Sequence, residues 1–211
     1  FFNAGVCTLL GAAVLGRLVY ILPSWAYYKA HLIEIPQVWL GGLSGLGALA
    51  GGMISLVLIS TQIPPSLGTL ADSLRPLLTA VAISAWLGCW VEGCFYGPEV
   101  QAWWGVPGIN EWGDISNRWP LQPVCALLIM LIGWSIDQID VRRQFPALGM
   151  VTLLEVCAIC LVFLWGGSLR VDPVPKWAGI TINTWLSYAI LIPTISAFLV
   201  IIYQNRSQPD P

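Results

Sequence analysis

The chain has 211 residues, of which 57% are hydrophobic and only 9% are charged, and it carries 12 tryptophans. Ordinary soluble domains have about 25% charged residues, so this composition excludes a water-soluble globular protein. The formal net charge of −2 gives no electrostatic basis for binding nucleic acid. We therefore expect membrane phospholipid and other membrane proteins as partners.

Apolar runs long enough to cross a bilayer, about 20 residues each, recur along the whole chain. We predict an all-α polytopic transmembrane bundle with six visible spans, at residues 4–22, 42–60, 74–95, 120–137, 147–166 and 179–203. Residues 1–211 are predicted to form a single integral membrane domain. Because the chain starts with Phe1, already inside an apolar run, we expect a missing N-terminal helix and seven spans in the full-length protein.

Two connections have compositions typical of a membrane surface. Residues 23–40 mix aromatic side chains with Lys29, His31 and Glu34, which predicts an interfacial segment. Residues 97–120 hold three acidic residues and several tryptophans, which predicts a long headgroup-level loop. If the spans alternate, the basic residues divide equally between the two sides of the membrane. Only the compact "VRR" loop favours an orientation, with the end of the fourth span in the cytoplasm.

Ionisable side chains inside a bilayer are costly and are candidate functional residues by default. The candidates in the predicted spans are Arg17, Glu92 and Glu155. Arg17 lies close enough to a helix end to reach the surface or pair with a loop carboxylate. For Glu155, near a helix middle, the structural alternative is a protonated carboxyl bonded to a neighbouring helix. Glu92 follows Cys89 by three positions near a helix end.

Metal and redox chemistry have weak support in the sequence. Cys89, Cys94 and Glu92 could bind a soft metal, but a site needs three or four converging ligands, and the single histidine, His31, lies far away in sequence. We predict no metal site. The "CAIC" motif lies within a span, and all six cysteines are expected to pack as small hydrophobic residues. With one histidine, most acid–base schemes lack their usual group.

Several stretches in the right order resemble the bacterial prolipoprotein diacylglyceryl transferases, which move a diacylglyceryl group from phosphatidylglycerol to a lipobox cysteine. They are "GAAVLGRLVYIL", "YYKAHLIEIPQVWLGGLSG", "ADSLRPLL" with "GCWVEGCFYG", "WPLQP", "LRVDP" and "AGITINTWLSYAILIP". The resemblance covers nearly the whole chain and implies the family's helical membrane fold in the bacterial cytoplasmic membrane.

The family signature is similar to G-R-x-G-N-F-x-N-G-E-x-x-G, whose polar residues hold the lipid headgroup and shape the catalytic site. Here the stretch "AWLGCWVEGCFYG" keeps Gly88, Gly93 and Gly97. The resemblance assigns the signature arginine to Trp86, the asparagines to Cys89 and Glu92, and the glutamate to Cys94.

Other family positions are also replaced. The histidine after the paired glycines becomes Leu46, and in "WPLQPVC" Trp119 and Cys125 replace a histidine and a glutamate, while Gln122 is kept. In the helix before the last, a tyrosine, arginine and glutamate at four-residue spacing become Ile159, Phe163 and Gly167. The resemblance leaves Arg17, Arg118, Arg170 and Gln122 as predicted headgroup-binding residues.

These losses favour a member of the family that is catalytically degenerate. A phospholipid transferase needs cations for its phosphate leaving group and a base for the incoming thiol, and both sets of positions have changed. We predict an accessory or structural subunit of a larger membrane complex, respiratory or photosynthetic in type, with no cofactor. One alternative is an active or altered transferase with Glu92 as the residual base. Another is lipid or quinone binding in the vacated cavity.

Overall fold

The computed structural model describes residues 2–110, 112–141, 145 and 147–207. Across them the helices are α1 (Phe2–Ile21), α2 (Trp25–Tyr28), α3 (Gly45–Ser60), α4 (Leu67–Glu92), α5 (Leu121–Val141), α6 (Met150–Leu169) and α7 (Ile182–Ser207). Two antiparallel hairpins join β1 (Val106–Ile109) to β2 (Ile115–Arg118) and β3 (Lys176–Trp177) to β4 (Ile180–Thr181).

Five of the described helices, α1, α4, α5, α6 and α7, are long and apolar enough to cross a membrane. The sixth predicted span corresponds to α3, which is apolar but has only 16 residues. The prediction of an all-α polytopic bundle is confirmed. Arg142 and Arg143 of the short basic loop lie outside the described residues, so the predicted orientation stays a prediction.

Helix α4 begins earlier than the predicted residue 74. Ser66 starts it, since its hydroxyl accepts the N–H of Thr69 at 3.4 Å and its carbonyl accepts the N–H of Leu70 at 3.0 Å. Asp72 and Arg75 lie in the first turns of α4. Because both are charged, a search for long apolar runs places the start of the helix too late.

The chain forms two compact units, Phe1–Leu78 and Thr79–Pro211. The prediction of a single domain stays a prediction. In the first unit, α1 packs closely against α3 through glycines. A Cβ on Gly51 would lie 2.7 Å from the Cβ of Leu15, and one on Gly11 would lie 2.7 Å from the Cβ of Ser55. Only small residues allow two helix backbones to approach this closely.

Residues 22–40 of the first unit form short helical turns at Leu22–Ser24, Trp25–Tyr28, Leu32–Glu34 and Val38–Leu40. Ile33 and Trp39 are exposed over 76% and 74% of their surfaces. Short helical turns that expose large apolar side chains fit the interfacial segment expected from the sequence.

The second unit contains the end of α4, both hairpins, and helices α5, α6 and α7. Helix α6 is the most deeply buried of its long helices, since half of the residues in its most apolar stretch are buried. Glu155 of α6 is 1% exposed and accepts a hydrogen bond from the hydroxyl of Thr79 on α4. Glu155 thus bonds to a neighbouring helix as its structural alternative supposed, and its protonation stays a prediction.

Candidate functional site

The signature segment forms the last turns of α4 and the tight loop that follows. Helix α4 ends because Gly93 adopts a left-handed conformation, with φ of 70°. The N–H of Cys94 then donates back to the carbonyl of Cys89 at 2.9 Å, and Phe95 also has a positive φ, of 57°. This backbone turn sends the side chain of Phe95 back towards the helix bundle of the second unit, where it is 4% exposed.

Trp86, Phe95 and Phe163 meet in a buried group that we call the aromatic cluster. The ring of Trp86 lies 4.7 Å from that of Phe95 and 4.8 Å from that of Phe163, measured between centroids. The edge-to-face pair of Trp86 and Phe95 has an interplanar angle of 79°. Edge-to-face and offset pairs of this kind contribute about 0.5–1.5 kcal/mol each beyond area burial.

Small groups also lie close to the ring of Trp86. Its Cη2 atom would lie 2.6 Å from a Cβ on Gly166, and the Sγ atom of Cys125 would lie 3.2 Å from the same point. Trp86 is 1% exposed, and its indole N–H has no hydrogen-bond partner among the described residues. The resemblance assigns arginines to Trp86 and Phe163 and a glutamate to Cys125. These three positions therefore converge, but they carry an indole, a phenyl ring and a thiol.

A disulfide joins Cys89 to Cys94 and closes the turn at the end of α4. The prediction that all six cysteines serve packing is wrong for this pair, because α4 ends between them and the chain reverses. The other four, Cys7, Cys125, Cys157 and Cys160, are free thiols. The bridge occupies two signature positions where the resemblance expects polar side chains.

Arg170 is paired within the second unit. Its Nε donates to Oδ1 of Asp172 at 2.6 Å and its Nη2 contacts Oδ2, and both side chains are only 7% exposed. The guanidinium carbon also lies 3.9 Å from the ring centroid of Phe95. Oδ2 of Asp172 accepts the backbone N–H of Phe95 at 3.0 Å, so the ion pair holds the signature loop in place.

Arg118 and Gln122 hold the other side of this loop. Arg118 lies over the ring of Tyr96, with its guanidinium carbon 4.3 Å from the centroid, and Nη2 donates to Glu99 at 2.9 Å. The side chain of Gln122 is buried and donates to the carbonyl of Cys94 at 2.9 Å. Three predicted headgroup-binding residues, Arg118, Gln122 and Arg170, thus contact residues 94–99 directly.

Arg17 belongs to the first unit and is 6% exposed. It donates hydrogen bonds of 2.7–2.9 Å to four backbone carbonyls, those of Glu34, Ile35, Gly41 and Gly42. Its guanidinium also lies within 6 Å of the rings of Tyr20 and Tyr28. The sequence suggested a loop carboxylate as the partner of Arg17, whereas these hydrogen bonds go to loop carbonyls.

The remaining predicted positions are scattered over both units. Leu46 lies in the first turn of α3 in the first unit and is 1% exposed. Trp119 packs edge-on against Trp165 with centroids 6.1 Å apart, and a Cβ on Gly167 would lie 3.8 Å from the hydroxyl of Thr184. Glu92 is the last residue of α4 and is exposed.

The model of the prolipoprotein diacylglyceryl transferase family matches residues 2–202. The chain belongs to this family. With its spanning helices, it is a multi-pass protein of the bacterial inner membrane, as the resemblance implied.

Curated relatives carry the name phosphatidylglycerol-prolipoprotein diacylglyceryl transferase. That of Frankia alni is 27% identical over 94% of this chain and 53% of its own length. That of Streptococcus agalactiae is 29% identical over 91% of this chain and 74% of its own length, and that of Acaryochloris marina is 33% identical over 48% and 37%. The chain thus spans about half the length of the Frankia relative.

Sequence reasoning missed the residues that neutralise or cover the retained arginines. Asp172 stands in the matched stretch "LRVDP" two residues after Arg170, and this spacing was a usable signal for a local ion pair. Phe95 and Tyr96 gave no such signal, because only the reversal at Gly93 brings their rings under the two guanidinium groups. The signature loop therefore lies among buried aromatic rings and arginines whose charges are paired with carboxylates.

Proposed function

We propose that this protein is a noncatalytic member of the prolipoprotein diacylglyceryl transferase family that acts as an accessory or structural subunit of a larger membrane complex. The observation that carries the proposal is the aromatic cluster. Trp86 and Phe163 occupy the positions that resemblance assigns to two arginines, and they pack on each other at 4.8 Å. A phosphate leaving group develops negative charge that cations stabilise, and neither of these side chains carries a positive charge.

The retained arginines of the second unit support the proposal. The charge of Arg170 is compensated by Asp172 at 7% exposure, and Arg118 is paired with Glu99 at 2.9 Å. Releasing either guanidinium to bind a lipid phosphate would break these ion pairs, and in the case of Arg170 would leave a buried carboxylate unpaired. Both arginines therefore act as positioning residues for the loop at residues 94–99.

The position of the family histidine also supports a loss of chemistry. Transfer to a cysteine requires a base that takes the proton of the incoming thiol. Leu46 stands at that position, is 1% exposed and has no titratable group. The chain keeps the family's fold while its catalytic polar positions have become apolar. We therefore expect it to act by binding other membrane components through its surface.

The outer faces of the helices are suited to such lateral contacts. Trp134 of α5 and Leu199 of α7 are 61% and 58% exposed, and both lie in helices apolar enough to span the membrane. Lipid and neighbouring helices compete for such faces, since both are equally apolar. A complex subunit on this scaffold would bind through them.

A second candidate function is an altered phosphatidylglycerol-prolipoprotein diacylglyceryl transferase, the activity named for the relatives. The observation that favours it is Glu92, an exposed carboxylate at the end of α4 that could take a proton from a thiol. The third candidate, a lipid or quinone bound among the replaced positions, must compete with the rings of the aromatic cluster. Lipid extraction and mass spectrometry of the purified protein test it.

Two experiments separate these functions. Expression in a strain depleted of its own transferase should fail to restore growth; rescue that is lost in Glu92→Gln would replace our proposal by the second candidate. Purification in a gentle detergent should yield a membrane-protein partner in stoichiometric amount. A monomer without partner would contradict the subunit role.

A further inference from the structure

The turn of the β1–β2 hairpin exposes three large apolar side chains, Ile109, Trp112 and Ile115, which we call the hairpin tip. Ile109 and Ile115 are cross-strand partners in the hairpin register, so their side chains lie on the same face. They are 37% and 72% exposed, and Trp112 between them is 70% exposed. The tip therefore exposes three large apolar side chains within seven residues of one hairpin.

Asn110 makes several hydrogen bonds within the turn that carries Trp112. Oδ1 of Asn110 accepts the backbone N–H groups of Trp112 and Asp114 at 3.1 and 2.7 Å, and the N–H of Asn110 donates to the carbonyl of Asp114 at 3.0 Å. Gly113 supplies the positive φ, of 88°, that the reversal requires. These hydrogen bonds fix the backbone of Trp112 and Asp114 relative to Asn110, while the side chain of Trp112 stays exposed.

The hairpin tip lies at the level of a helix end. A Cβ on Gly93, the residue after α4, would lie 2.8 Å from Cγ2 of Ile109 and 2.9 Å from the carbonyl oxygen of Asn110. The last turn of α4 exposes Val91 over 81% of its surface. Since α4 is long and apolar enough to span a membrane, its end and the hairpin that packs on Gly93 are expected at the membrane surface.

We propose that the hairpin tip inserts into the headgroup layer of the lipid bilayer and anchors the loop of residues 97–120 there. An indole combines an apolar body with one N–H donor, which suits the boundary between acyl chains and headgroups. The carboxylate of Asp114 lies next to the tip, bonded to the Asn110 amide at 3.3 Å. This negative charge disfavours electrostatic attraction to anionic lipid, so apolar burial drives insertion, and insertion does not require anionic lipid. The anchoring is independent of whether the chain is catalytic.

A nitroxide label at the tip tests this inference in the full chain, reconstituted alone in phosphatidylcholine vesicles. Trp112→Cys is made in a Cys7→Ala background, because Cys7 is an exposed free thiol, and the Cys89–Cys94 disulfide is kept. Collision rates with oxygen and with a water-soluble nickel chelate report depth in the membrane. Matched labels at Leu199, an exposed site on a spanning helix, and at Gln62, in a polar loop, set the two limits.

We expect the label at Trp112 to lose most of the nickel collisions seen at Gln62 and to show oxygen collisions between the two limits. The same result is expected in vesicles that contain phosphatidylglycerol and at high salt. A label at Ile115 repeats the measurement in case the Trp112 variant misfolds. Nickel collisions equal to those at Gln62 at both sites would overturn the inference and would mean that the tip faces water or a partner protein.

Discussion

Replacing Trp86 with alanine tests whether the signature segment has become a packed core. Trp86 is 1% exposed, and its ring contacts Phe95 and Phe163 at centroid distances below 5 Å. Truncation removes both ring contacts and leaves a cavity facing Gly166. We therefore expect Trp86→Ala to lower the free energy of unfolding.

The expected loss is large. Truncating a buried tryptophan or phenylalanine to alanine costs about 3–5 kcal/mol. For a chain of about this length each kcal/mol lowers the Tm by roughly 2–4 °C, so the total should be roughly 6–20 °C. Trp86→Phe keeps a ring in contact with Phe163 and should lose less than half of this.

The assay can use the chain's own buried thiols in a Cys7→Ala background, because Cys7 is an exposed free thiol that would react before unfolding. Cys125 is fully buried and lies beside Trp86, so a dye that becomes fluorescent on reacting with thiols reports the opening of this region during heating. Trp134→Ala is the matched control, because Trp134 is 61% exposed. Exposed substitutions of this kind usually change stability by less than about 0.5 kcal/mol. A melting temperature of Trp86→Ala equal to that of Trp134→Ala would refute the packed core.

Three further predictions concern the bridge, the buried ion pair and the helix contact. Unfolded protein treated with a polyethylene glycol maleimide should gain two modified thiols after reduction, because Cys89 and Cys94 are joined. Asp172→Asn leaves a guanidinium buried at 7% exposure without its carboxylate and should cost about 3–5 kcal/mol in the same thermal assay. Gly51→Ala should lower the Tm because its Cβ would meet Leu15 at 2.7 Å.

Each of these has an internal control. Gly88→Ala meets nothing within 4 Å and should leave the Tm unchanged, so equal effects at the two glycines would contradict the close helix contact. Glu99, the partner of Arg118, is 66% exposed, and Glu99→Gln should cost no more than about 1 kcal/mol. If Glu99→Gln lowered stability as much as Asp172→Asn, the two ion pairs could not differ in burial as described. Six reactive thiols before reduction would exclude the bridge.

The bridge also bears on orientation. Disulfides persist in oxidising compartments and are rare in the cytosol. A bridge between Cys89 and Cys94 therefore predicts that the end of α4 lies on the outer side of the membrane. If α5 crosses back, this bridge and the charge of the short basic "VRR" loop predict the same orientation, with that loop on the cytoplasmic side.

The order and nature of the spanning helices could be predicted, because apolar length is a local property of the sequence. The resemblance assigned Trp86 and Phe163 to two lost arginines, but the contact between their rings came only from the structure. The starts of helices were less predictable: α4 starts at a serine cap ahead of charged residues. The β1–β2 hairpin is short and depends on the Asn110 turn, which weak local preferences did not reveal.

The partners of the retained arginines could not be predicted for a different reason. Arg118, Arg170 and Gln122 are typical of headgroup binding by residue type alone. Their contacts depend on where the chain reverses after α4, because that reversal brings Phe95, Tyr96 and the carbonyl of Cys94 within reach. A cation in a membrane protein indicates a costly charge that needs a partner, and only the tertiary structure distinguishes an internal partner from a ligand.

Direct measurement of transfer tests the central claim. The purified chain would be reconstituted with phosphatidylglycerol and given a lipobox peptide, with the relative from Streptococcus agalactiae as the positive control, and the mass of the peptide would be followed. A noncatalytic member of the family leaves the peptide unmodified while the control adds a diacylglyceryl group to its cysteine. Addition of that group by this chain, abolished in Glu92→Gln, would contradict the account and identify an altered transferase.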